Sequence, residues 1–166
     1  MNLDTVATPR LFAERLTAEH LPEIRRMHED PRVMATLGGI RTEAQTREYL
    51  DRNLAHWERF GFGLWIVRDA SRETIVGRAC VRHLDVDGVD EVEIGYALYA
   101  DWWGQGLATE IANACVAVGH RDLGLASVVA VTLPTNRGSR HVMEKAGMAY
   151  ERDFLHAGEP HVLYRR

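Results

Sequence analysis

Apolar residues alternate between runs of period 2 and stripes of period 3.6 along this 166-residue chain, and the alternation predicts its elements in order. Residues 8–17 read as a first strand, with Leu11 and Phe12 apolar and Arg10, Glu14 and Arg15 polar. Thr17 is placed to cap a helix running to about Glu29, with Leu21, Ile24 and Met27 on its inner face. Asp30-Pro31 interrupts regular structure, and 33–40, with Gly38-Gly39, reads as an irregular or helical lead-in. Thr42-Glu43-Ala44-Gln45 matches a capping box. A long helix should follow to Phe60 and stop at Gly61, turning Tyr49, Leu50, Leu54 and Trp57 inward. Trp57 is expected to pack in the core.

Strands are expected at 62–68 and 74–86, the second bent at Gly77. Asp87-Gly88 is a hairpin signal leading into the apolar run 92–99. That run breaks at Ala100-Asp101-Trp102-Trp103, passes Gly104-Gln105-Gly106, and opens into a helix with Leu107, Ile111, Ala114, Cys115 and Val118 on one face. Its end is expected near 120–123. The nearly unbroken apolar run 126–133 suits a strand covered on both faces. A short helix at 136–146 closes on Gly147; a strand at 148–156, a turn at 157–160 and a last strand at 161–165 complete the chain. Antiparallel meanders, one β-α-β crossover and a terminal hairpin make an α+β fold with a mixed sheet. The length suits one domain, 1–166.

Strand, glycine pair and helix start, in that order, make an anion seat. The first N–H groups of a helix lack internal partners, and the helix dipole adds partial positive charge there. Gly104 and Gly106 carry no Cβ, so a phosphate can approach the main chain; a plain tight turn is the alternative. A dinucleotide fingerprint is disfavoured, since Thr109 stands where a third small residue belongs and no acidic residue ends the next strand. No lysine follows the last glycine, as a P-loop would require.

A net charge of −4 argues against a nucleic-acid-coating surface. Cys80 and Cys115 lie in apolar patterns without CxxC spacing, so neither a disulfide framework nor a metal site is expected. No apolar run approaches a membrane span or a signal-peptide core, and a cytoplasmic setting is expected.

Three motifs carry a family resemblance. Glu93-Ile94-Gly95-Tyr96 lies on the strand before the loop. Trp103-Gly104-Gln105-Gly106-Leu107-Ala108 forms the loop, and Asn136-Arg137-Gly138-Ser139 precedes Glu144-Lys145-Ala146-Gly147-Met148. In order and spacing they resemble the GNAT acyltransferase superfamily. The opening Thr8-Pro9-Arg10-Leu11 is similar to the branch that includes ribosomal-protein N-terminal acetyltransferases. The resemblance implies a sheet of about seven strands and about four helices, splayed at a central parallel pair. It also implies an acetyl-CoA-dependent N-acetyltransferase, with Gly104, Gln105, Gly106, Leu107, Ala108 and Thr109 on the pyrophosphate. Tyr96, Ala97, Leu98 and Tyr99 would then line the pantetheine arm, with Asn136 on its amides. A main-chain N–H at Ala97 or Leu98 would face the thioester carbonyl.

Glu93 is the candidate base, through a water, with Glu91 of the same strand parity second; His83, His120 and His141 are weaker alternatives. Ser139 is the candidate donor to the leaving sulfur. Two positions depart from the family pattern. Trp103 replaces the usual first Gln or Arg of the loop, and Met143 stands where many members carry an acid-acting Tyr. Met143 leaves a second reading open, a catalytically degenerate CoA-binding regulatory or interaction domain. Expected partners are acetyl-CoA and an amine acceptor, with neither nucleic acid nor membrane; a homodimer stays open.

Overall fold

Eight strands make one mixed sheet in the order β1-β2-β3-β4-β5-β6-β8-β7. They are β1 (Thr5–Ala7), β2 (Leu11–Arg15), β3 (Leu64–Asp69), β4 (Ile75–Val86), β5 (Val89–Leu98), β6 (Val129–Thr132), β7 (Ala149–His156) and β8 (Glu159–Arg165). Among the described residues five α-helices accompany them: α1 (Leu21–Glu29), α2 (Pro31–Met34), α3 (Glu43–Phe60), α4 (Leu107–Ala117) and α5 (Arg137–Lys145). The computed structural model describes residues 2–166. Every strand pairing is antiparallel except β5 with β6.

Local chemistry accounts for most boundaries. Gln45 N–H donates to Thr42 Oγ1 and Thr42 N–H to Gln45 Oε1, so α3 starts on a complete capping box. It ends where Gly61 turns left-handed at φ 72°. Asp87 and Gly88 both have positive φ, 52° and 83°, the geometry of a two-residue hairpin turn that matches strand twist. That turn fixes the register of β4 on β5, setting Arg82 opposite Glu93 and Arg78 opposite Ala97. Gly77 lets the Ala97 carbonyl come closer than any side chain would permit.

Several boundaries differ from expectation. The first strand does not begin at Thr8: Thr8 Oγ1 accepts the Leu11 N–H within the β1–β2 turn, and Phe12 is the first residue after it to pair with β1, opposite Ala7. The three-residue β1 is too short for a periodic signal. Thr17 opens a short 3₁₀ turn, and α1 begins at Leu21 with Pro22 in its first turn, where a missing N–H costs nothing. Residues after Pro31 do form a short helix, capped by Asp30 accepting the Arg32 N–H. Leu54 is only half-buried, whereas Asn53 is buried and donates to the Tyr49 carbonyl. α4 passes into a π-helical turn at Val118–Asp122. The 157–160 turn is tighter than expected: Ala157 and Gly158 alone make it, and Glu159 and Pro160 already pair with β7.

The main core holds Trp57, Trp65, Leu64, Ile66, Ile94, Ile111 and Met143, each no more than 2% exposed. Trp57 Nε1 donates to the Leu64 carbonyl at 2.8 Å, which satisfies its one polar atom inside the core. Cys80 and Cys115 are buried free thiols.

Candidate functional site

The site is organised by a gap. β5 and β6 run parallel but pair at a single position, Glu93 with Val129, and then diverge. Peptide groups alternate in direction along a strand. Tyr99 N–H donates to the Val76 carbonyl, toward β4. The same alternation turns Ala97 toward β4 and turns Tyr96 and Leu98 toward the open edge. The Leu98 carbonyl does face away from β4, because it accepts Trp103 Nε1 at 2.8 Å. Of the two N–H groups considered for the thioester carbonyl, Leu98 therefore faces the opening; Ala97 is held in the β4 ladder.

The loop at the end of β5 is held open by its own backbone. Trp102 N–H donates to the Tyr99 carbonyl and Trp103 N–H to the Ala100 carbonyl, so Trp103 brings no free amide. Gly104 and Gly106 adopt φ 73° and 77°, left-handed geometry that other residues reach only with strain. Helical bonding starts with Glu110 N–H on the Gly106 carbonyl, and no side chain caps α4. Among the described residues, the N–H groups of Gly104, Gln105, Gly106, Leu107, Ala108 and Thr109 have no hydrogen-bond partner. Six free amides on two left-handed glycines at a helix N-terminus fit a diphosphate.

Two residues missed in the sequence brace this loop. Arg10, in the β1–β2 turn, donates from its guanidinium to the Gln105 carbonyl at 2.8 Å and to Glu110 at 2.6 Å. Glu110 also accepts the Thr8 hydroxyl and the Arg10 N–H. Burial pushes its carboxyl up, but these three bonds to Glu110 outweigh it and hold the group below the usual carboxylate range. The four-residue spacing of Glu110 from Gly106 was the available signal. An acid in a first helical turn needs a counter-cation if an anion is to sit beside it.

Across the gap, the Tyr96 hydroxyl lies 3.1 Å from both Ser139 Oγ and the Ser139 carbonyl. Burial pushes the Tyr96 phenol up to about 12, so it stays protonated at neutral pH. Asn136 caps α5, accepting the Ser139 N–H at 3.1 Å, and its amide nitrogen donates to Thr132 Oγ1. The Asn136 carbonyl expected on the pantetheine amides thus also serves as the helix cap. Met143 is 2% exposed and belongs to the core, so it leaves the sulfur side of the gap without an acid.

Glu93 is 5% exposed, and Arg82 Nε donates to it at 2.6 Å. A cross-strand carboxylate beneath a guanidinium was readable from the hairpin register alone. Glu91 is engaged elsewhere, in a bidentate pair with Arg165 at 2.7 and 3.0 Å. The histidines do not gather here. His83 bonds Asp90, His120 bonds the Leu125 carbonyl, and His141 is exposed on α5. No cluster of three metal-ligating side chains occurs among the described residues.

Residues 10–149 match the acetyltransferase (GNAT) domain family. The chain belongs to that family. As a GNAT acetyltransferase it is 30% identical over 140 residues to the uncharacterized protein YkkB of Bacillus subtilis (strain 168), covering 84% of this chain and 81% of that one. The acetyltransferase from Agrobacterium tumefaciens str. C58 superposes with TM-score 0.86 at 27% identity, over 98% of this chain and 93% of that one. The ribosomal L7/L12 α-N-protein acetyltransferase RimL, solved with coenzyme A, shares the fold at TM-score 0.78 and 15% identity, over 98% and 97% of the two chains.

Proposed function

We propose that this chain transfers an acetyl group from acetyl-CoA to a primary amine by direct attack on the thioester. The observation that carries the reading is the run of free amides from Gly104 to Thr109 beside an unpaired edge of β5. Acetyl-CoA supplies the activated acyl thioester. The loop amides hold the diphosphate, with Arg10 balancing Glu110, and Tyr96 and Leu98 offer main-chain groups to the pantetheine arm. Leu98 N–H stabilises the carbonyl oxygen as negative charge grows there; one fixed donor of that kind contributes about 3 kcal/mol.

The amine must attack as the neutral base. Glu93 takes one of its protons through a water, while the bond from Arg82 fixes the carboxylate in place. A C–N bond forms, the C–S bond breaks, and the sulfur leaves as thiolate. Ser139 Oγ donates to it. That contact is a hydrogen bond with no proton given up; the Tyr96 hydroxyl orients Ser139 and, with its raised pKa, keeps its own proton.

The test pairs calorimetry of acetyl-CoA binding with thiol release across an amine panel. Binding near the micromolar range with turnover is expected, and Gly106→Trp should abolish both in a folded protein. Folded wild-type protein that takes up no acetyl-CoA at near-millimolar concentration would sink the reading. Tight binding with no turnover would favour a CoA-responsive interaction domain instead.

A further inference from the structure

Net charge over the chain is −4, yet Arg41 and Arg78 gather on one aromatic ring, on the face of the sheet that carries the Arg82–Glu93 pair. Arg78 and Arg82 project from the same face of β4, four pairs apart in the register that sets them opposite Ala97 and Glu93. Arg41 comes from the segment between α2 and α3, tied by its N–H to the His28 carbonyl. The Tyr49 ring of α3 gathers the group: the Arg41 guanidinium lies 4.9 Å and that of Arg78 5.4 Å from its centroid. His28 Nε2 lies 3.3 Å from Arg41.

The charges do not balance. Glu93 is ion-paired with Arg82; among the described residues no carboxylate is ion-paired with Arg41 or Arg78. Arg78 is 7% exposed, and its Nε has no hydrogen-bond partner. The Tyr49 hydroxyl, on a side chain 3% exposed, has none either. Buried donors and a buried cation left unpaired cost several kcal/mol in a fold of ordinary stability. Burial lowers the Arg41 pKa as well. Arg41 and Arg82 remain partly exposed, so the cluster is reached from solvent. A fork of donors around an aromatic face is suited to a carboxylate or phosphate.

We propose that the amine acceptor carries an anionic group, a carboxylate or a phosphate, held between Arg41 and Arg78 with the Tyr49 hydroxyl as a third donor. This deepens the acetyl-transfer reading and rests on it for the identity of the ligand as acceptor. The anion is held on the Glu93 face of the sheet, which leaves the amine of a small acceptor free to reach toward Glu93 and the β5 edge. Neutral amines lose this anchor, so the acceptor class is amino acids or phosphorylated amines rather than polyamines.

Two readouts on the full chain test it. Calorimetry on protein saturated with CoA compares amino acids with their C-terminal amides, and phosphoethanolamine with ethanolamine, which separates carboxylate from phosphate. Thiol release from acetyl-CoA follows transfer to the same pairs. The anionic member of at least one pair should bind about 10–100-fold tighter. Arg78→Met should erase that preference with acetyl-CoA affinity intact, and Arg41→Gln, at a more exposed position, should do the same should the buried change prevent folding. Equal binding of charged and neutral members overturns the inference, as does a preference that survives both substitutions. Lost acetyl-CoA affinity in Arg78→Met overturns it too, by assigning the guanidinium to the cosubstrate. An anion preference in binding without acetyl transfer would uphold the anion seat and overturn the enzymatic reading.

Discussion

The Tyr96 hydroxyl stands 3.1 Å from Ser139 Oγ, joining β5 to the first turn of α5 across the mouth of the wedge. With Met143 withdrawn into the core, the proposed mechanism assigns the departing thiolate to these two hydroxyls. Ser139→Ala should lower kcat roughly 10–100-fold while leaving acetyl-CoA affinity nearly unchanged. Tyr96→Phe should cost less, and the double variant should cost little more than Ser139→Ala alone, because the two act through one contact. Thiol-release kinetics on the three variants check this; a Ser139→Ala enzyme as fast as wild type would remove the hydroxyl from the chemistry.

Arg10 and Glu110 form a separable pair. Arg10→Gln leaves the Glu110 carboxylate uncompensated beside the loop amides, so acetyl-CoA affinity should fall roughly three- to tenfold, in keeping with a half-exposed guanidinium. Adding Glu110→Gln should recover most of the loss, and raised salt should narrow the difference. Isothermal titration of the three variants decides it; a double variant weaker than Arg10→Gln would show that the carboxylate is needed in its own right.

Glu93→Gln keeps shape and hydrogen bonding but removes the base. At pH 7 kcat/KM should drop by about 10²-fold. The deficit should shrink as pH rises toward the acceptor's own pKa, near 8 for an α-amine or about 10.4 for a lysine-like amine. A pH–rate profile parallel to wild type would indicate that Glu93 only anchors Arg82.

His28 gives the fold an acid-sensitive point. It is fully buried, bonded through Nδ1 to Thr46 Oγ1 at 2.9 Å. Burial, then Arg41 and Arg78, push its pKa down to about 3 from an ordinary 6.5. Between those values the unfolded chain binds a proton that the native ring refuses, so stability is complete above pH 6.5 and is lost as pH falls toward 3. The slope from this one group approaches about 1.4 kcal/mol per pH unit. Denaturant midpoints from pH 7 to 4.5 should fall more steeply for wild type than for His28→Asn, which keeps a bond to Thr46 and cannot titrate. Equal slopes would mean that the imidazole opens to solvent first.

Local chemistry made much of this molecule legible beforehand. Thr42 with Gln45, Asp87-Gly88 and Gly104 with Gly106 each state a backbone geometry in two residues, and each was found as stated. What stayed hidden depends on distance along the chain. Arg10 meets Gln105 and Glu110 across about a hundred residues. Arg41, Tyr49 and Arg78 come from three elements that share a face only once the sheet is formed. Leu98 rather than Ala97 follows from which edge β4 occupies, which hairpin register could have supplied. Asn136 is ambiguous for a physical reason: one amide can cap a helix or meet a ligand, and its carbonyl holds the Ser139 N–H three residues on.

The single Glu93–Val129 rung has a further consequence. With so little backbone bonding between them, the β1–β5 half and the β6–β8 half of the sheet are joined mainly by side chains and by the α4 crossover. A ligand that lies along β5 acts as mortar between two walls, and its arrival should raise the melting temperature of the whole chain in proportion to the logarithm of its concentration. In the proposed reaction, departure of CoA would loosen the same joint and so tie each turnover to a cycle of stiffening and relaxation.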